Sequence, residues 1–92
     1  MIETESAPGA TASLADLATG ASAVVETLDA SGPVGRRLGD LGFVPGTAIT
    51  AVRRAPLGDP TLYALRGTEI ALRREEARRV RVRIADDAES PR

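Results

Sequence analysis

The chain has 92 residues, room for one small domain and no second, since independently folding units occupy roughly 50 to 200 residues. With 42% hydrophobic and 27% charged residues it lies far from the apolar-poor, charge-rich composition that leaves chains disordered. Twelve basic residues against thirteen acidic give a formal net charge of −1, and every basic residue is arginine; without lysine, histidine or cysteine there is no Schiff-base or P-loop lysine, no Ser-His or Cys-His pair, no disulfide, and no thiolate or imidazole site for zinc.

In chain order, residues 1–12 mix small, acidic and turn-forming types without periodicity and read as an N-terminal tail, as do residues 86–92 at the other end. Residues 13–85 form the domain. At this size almost every large aliphatic must be buried, and the candidates are Leu14, Leu17, Val24, Val25, Leu28, Val34, Leu38, Leu41, Val44, Ile49, Val52, Leu65, Ile70, Leu72, Val80, Val82 and Ile84. Ser22–Leu28 is β-branched in its middle and closed by the turn-rich run Asp29-Ala30-Ser31-Gly32, which predicts a strand.

Pro33 sits where a first helical residue tolerates proline, Val34, Leu38 and Leu41 share one helix face, and Gly42 stands at a C-terminal cap, so a short helix runs from Pro33 to Leu41. Gly35 and Gly39 within it imply close packing. Pro45-Gly46 makes a turn into a strand over Thr47–Arg54, the loop Ala55–Pro60 follows, and Leu62–Arg66 with Glu69–Leu72 reads as a hairpin. Arg73–Arg79 carries helix-forming charged residues, with Glu75 spaced to meet Arg78 or Arg79, and Val80–Ile84 alternates apolar residues with arginine, the clearest strand of the chain. Five short strands around one aliphatic core predict a mainly β fold, a small closed barrel with a short helix after the first strand and a one-turn helix before the last.

Four stretches together resemble the FeoA family: Leu14-Ala15-Asp16-Leu17 with Gly20; Arg37-Leu38-Gly39-Asp40-Leu41-Gly42-Phe43-Val44-Pro45-Gly46-Thr47; Ala55-Pro56-Leu57-Gly58-Asp59-Pro60; and Ile70-Ala71-Leu72-Arg73-Arg74-Glu75-Glu76-Ala77. The resemblance spans residues 14–84. It implies an SH3-like barrel, a cytoplasmic accessory of bacterial ferrous iron uptake, and a partner, the membrane transporter FeoB with its cytoplasmic GTP-binding domain. It implies neither an enzyme nor a fixed metal-ligand set, so no cofactor and no metal residue is expected, although transition-metal handling belongs to the family's biology. The competing reading is a small SH3-like regulatory or nucleic-acid-binding module, related to the C-terminal domain of metal-dependent repressors.

The residues themselves narrow these options. Six arginines lie within the eleven positions Arg73–Arg83, yet glutamates interleave them and strand alternation turns Arg81 and Arg83 outward, as on a solvated face. With one Phe and one Tyr the chain lacks aromatic platforms for bases, and no nucleic-acid partner is expected. Asp16, Asp40 and Asp59 are isolated hard ligands that hold iron poorly without imidazole; Asp40 belongs to the last helical turn and Asp59 to Asx-type bonding in its loop. No segment has the basic start and apolar run of a signal peptide or a membrane span, so a cytoplasmic protein with no direct membrane insertion is expected. Self-association is left open. The partner-contact candidates are Pro56, Leu57, Gly58, Asp59 and Pro60, a loop held in one shape by its prolines, with Phe43 as an addition. Two placements are open for each apolar member: Leu57 is either a knob for a partner or a plug in the barrel end, and Phe43 either surface or core.

Overall fold

The computed structural model describes residues 9–85, so the expected tails at 1–8 and 86–92 lie outside the described residues. In chain order the elements are β1 (Thr11–Ser13), a 3-10 turn (Leu14–Asp16), β2 (Ser22–Leu28), α1 (Gly32–Leu41), β3 (Ala48–Arg54), β4 (Thr61–Leu65), β5 (Thr68–Leu72), α2 (Arg74–Ala77) and β6 (Val80–Ile84).

The alternation of β6 does what its period requires: Val80 and Val82 are buried while Arg81 and Arg83 face out. β6 lies between β1 and β2 in an antiparallel six-stranded sheet of order β1-β6-β2-β3-β4-β5. One strand more is present than the sequence predicts. Thr11 and Ala12, placed by sequence in the N-terminal tail, pair with Arg83 and Val82; a three-residue strand of small and polar types carries no period of its own and is ordered through its backbone bonds to β6. The ladder also does not close as expected. β1 and β5 end the sheet, and α2 packs against the 3-10 turn, so helical turns rather than hydrogen-bonded rungs lie between the two edge strands.

Two register shifts bend the sheet, one between Val25 and Thr27 in β2 and one between Ala51 and Arg53 in β3. Each places an extra residue, Glu26 or Val52, opposite the partner strand and reverses which side chains face inward beyond it. Ala23 and Val25 therefore face the core before the first shift and Leu28 packs against it after. The same parity leaves Val24 and Val52, both expected in the core, only half-buried.

α1 ends as predicted, with Gly42 at φ 111° donating its N–H to the carbonyls of Leu38 and Gly39. A side chain at Gly35 would stand 2.4 Å from the carbonyl carbon of Ala30 and 2.6 Å from the oxygen of Asp29, so this turn of the helix rests directly on the preceding backbone. Gly39 is looser, its nearest neighbour being Leu28 at 3.5 Å. The core joins Leu14, Leu17, Val25, Leu38, Ile49, Leu65, Leu72, Val80 and Val82, all expected, with Phe43, Tyr63 and four alanines.

Two charged contacts differ from the predicted helical pair of Glu75. Glu76 instead accepts from the N–H of Arg73 at 2.9 Å and forms an ion pair with Arg37 of α1. Arg79 approaches Asp29 at 3.5 Å and donates to the Ser31 carbonyl at 3.0 Å. The Asp29 carboxyl is held below its usual range by the hydroxyl and N–H of Ser31, aided by Arg79.

Candidate functional site

The segment between β3 and β4 is built from turn chemistry. The Gly58 N–H donates to the Ala55 carbonyl at 2.7 Å, closing a turn with Pro56 and Leu57 in the middle, and Gly58 continues at φ 93°, a conformation favourable to glycine. The Ala55 N–H donates to the Pro60 carbonyl at 2.9 Å and ties the two ends together, and the Asp59–Pro60 peptide is cis. Asp59 does not close an Asx turn within the loop. Its Oδ1 accepts from the Arg74 N–H at 2.9 Å, joining the loop to the start of α2.

On this frame Leu57 is 96% exposed, the one large hydrophobic residue so placed among the described residues. It plugs nothing. Pro56 and Asp59 are exposed beside it, and Gly58 and Pro60 are half-buried. Phe43 does not join them: it is fully buried at 0% exposure, and the preceding Gly42 abuts Leu65 and Arg66, at the end of β4 opposite the loop. The phenyl ring belongs to the core and offers no contact surface.

A row that sequence inspection did not single out completes the site. Arg53, Leu62 and Ala71 are direct cross-strand partners on β3, β4 and β5 and share the outer face. With Arg54, Ala55, Pro56 and Pro60 they line a shallow depression of about 260 Å³ beside the loop. Leu62 carried a signal, since its neighbours Thr61 and Tyr63 alternate inward with Leu65; finding Ala71 and Arg53 required the register.

Beneath the loop the inner face is polar. Arg54 Nε donates to Thr61 Oγ1 at 3.1 Å and its terminal nitrogen to the Leu17 carbonyl at 3.3 Å, while Tyr63 Oη donates to the Leu14 carbonyl at 3.3 Å. Burial raises the Tyr63 pKa; the Thr61 hydroxyl and the charges of Arg54 and Arg74 oppose that shift, and Asp59 reinforces it. Among the described residues no three carboxylates gather to hold a cation, and Asp16, Asp40 and Asp59 stay apart. No helix of the described chain is long and apolar enough to cross a membrane.

Residues 12–84 match the FeoA domain model. The chain belongs to the FeoA family. It is thereby a member of a family of ferrous iron transport. The chain also matches a curated relative, an Fe(2+) transport protein A/Fe(2+) transporter FeoB fusion protein of Porphyromonas gingivalis, at 38% identity over 71 residues, which are 77% of this chain and 8% of that much longer protein. The structure of Stenotrophomonas maltophilia FeoA complexed with zinc, described as an SH3 domain protein, is 40% identical with a TM-score of 0.68 and is covered over 94% of its length by 86% of this chain. A manganese-dependent transcriptional repressor shares the fold alone, at 15% identity and a TM-score of 0.71 over 80% of this chain and 41% of its own. The mainly β, SH3-like architecture expected from sequence is thus the one this chain adopts, as an open sheet.

Proposed function

We propose that this member of the FeoA family is a cytoplasmic accessory of ferrous iron uptake that works by contact with a FeoB-type membrane transporter and performs no catalysis. The observation that carries the reading is Leu57, presented at 96% exposure on a loop closed by its own hydrogen bonds and tied to α2. Such a residue gains by leaving water and needs no reordering to do so, because the loop already has its shape. The fusion of the two proteins in Porphyromonas gingivalis supports FeoB as the partner, since one chain holds both at high effective concentration.

The test is ferrous iron uptake in cells lacking the native protein, complemented with the Leu57→Asp variant. The expected result is a folded protein at normal abundance that does not restore uptake. Normal uptake by a folded Leu57→Asp variant removes the loop from the interface.

A further inference from the structure

We propose that the depression beside Leu57 receives an acidic segment of the partner that carries one apolar side chain. The inference rests on the reading of this loop as the transporter contact and specifies the chemistry that meets it. Pro56, Pro60, Leu62 and Ala71 give the depression apolar walls, and its volume of about 260 Å³ is below the roughly 300 to 1,000 Å³ of small-molecule sites, which suits a side chain better than a metabolite.

Charge selects the occupant. The lining holds two arginines, Arg53 and Arg54, and no carboxylate. Among the described residues the ion pairs are made by Arg37, Arg79 and Arg83, which leaves the charges of Arg53 and Arg54 without an internal carboxylate partner. Asp59, the acid of the adjoining loop, directs an oxygen at the Arg74 N–H. An incoming carboxylate beside the apolar residue therefore meets the Arg53 guanidinium on the outer face, while that of Arg54 is held on the inner face by its bonds to Thr61 and Leu17 and adds positive charge beneath the depression. A second copy of this chain fits worse, because a two-fold contact through the same patch brings the arginines of both copies together. A nucleic acid would find no aromatic ring in the lining on which to stack a base.

The experiment measures binding of the full chain to an intact FeoB-type transporter in lipid nanodiscs, at low and high salt, for the native protein and for Arg53→Glu, Arg53→Gln and Leu57→Asp. The expected result is affinity that falls with salt, loss of binding in Leu57→Asp, and weakening by about tenfold or more in Arg53→Glu with a smaller effect in Arg53→Gln. If Leu57→Asp abolishes binding while Arg53→Glu and added salt leave it unchanged, the acidic occupant is overturned and the loop contact stands. If neither variant changes the affinity, both readings fall. A dimer in sedimentation that Leu57→Asp dissociates, or competition by a single-stranded oligonucleotide that Arg53→Glu abolishes, overturns the proposal in favour of those occupants.

Discussion

Tyr63 Oη donates a hydrogen bond to the Leu14 carbonyl at 3.3 Å, joining the middle of β4 to the 3-10 turn across a separation of 49 residues. Both residues are buried, so the bond satisfies an acceptor that water does not reach. Tyr63→Phe keeps the ring and leaves that carbonyl with the Leu17 N–H, at 3.1 Å, as its remaining donor. The expected cost is about 0.5–1.5 kcal/mol, the net worth of one hydrogen bond, with the melting temperature falling by roughly 4–8 °C for each kcal/mol in a domain of this size, read by thermal unfolding.

The same tyrosine should make stability fall at alkaline pH. Its folded pKa is raised by burial, so the folded state holds the phenolic proton more tightly than the unfolded chain. Its contribution is present in full below the ordinary tyrosine value of about 10 and is lost as pH rises through the higher folded value. The chain has a single Tyr and no lysine, histidine or cysteine, so the fall can be assigned to this phenol. Melting temperatures from pH 8 to 11 should fall above about pH 10, and Tyr63→Phe should flatten that fall.

Gly35 and Gly39 occupy the same helix and should respond in opposite directions to alanine. A methyl at position 35 meets backbone at 2.4 Å and cannot be relieved by rotating a side chain, so Gly35→Ala should destabilise by about 1–3 kcal/mol or more. At position 39 it meets Leu28 at 3.5 Å, an ordinary contact, and Gly39→Ala should stabilise by about 0.5–1 kcal/mol through helix propensity. Urea unfolding of the two variants separates the outcomes.

Leu57 and Phe43 should likewise part company. Leu57→Asp alters a side chain already in water, and its unfolding free energy should stay within about 0.5 kcal/mol of the native value. Phe43→Ala opens a cavity in the core and should cost about 3–5 kcal/mol.

Glu76 joins two helices and caps one of them. Arg37 is half exposed at 51%, so Arg37→Ala should cost less than about 1 kcal/mol, and less again in high salt. Glu76→Ala also removes the acceptor of the Arg73 N–H, and should cost about 0.5–2 kcal/mol more than Arg37→Ala. A double-mutant cycle at two salt concentrations isolates the ion pair from the cap.

Where a local pattern determined structure, it was legible in the sequence. Val80–Ile84 and Ser22–Leu28 have the strand bounds predicted for them, and the proline and Gly42 signals delimit α1 to within a residue. β1 was not legible because Thr11–Ser13 borrows its order from β6. Tyr63 shares the inward parity of Leu65 and was missed as core because its hydroxyl needs a partner, and the Leu14 carbonyl that accepts from it is brought there only by the fold. In the candidate site, Pro56, Gly58 and Pro60 announced a shaped loop, but the direction of Leu57 depended on how β3 and β4 meet. Arg53 was hidden for a sharper reason. Ile49 and Ala51 face inward, and strict alternation would send Arg53 after them; the extra residue at Val52 turns Arg53 outward instead and puts it beside Leu62.

The open end of the sheet carries its own consequence. β5 terminates the ladder, and beyond it a row of backbone donors and acceptors is available for pairing with another chain, the usual route by which β proteins aggregate. The segment Thr68–Leu72 is short and bears Glu69 on its exposed side, with Arg66 before it and Arg73 and Arg74 after it. These charges act as gatekeepers: any strand laid along β5 must bury one of them or face its like in a second copy. The arginines that bracket this edge strand thus stand against strand-to-strand association of an unclosed barrel.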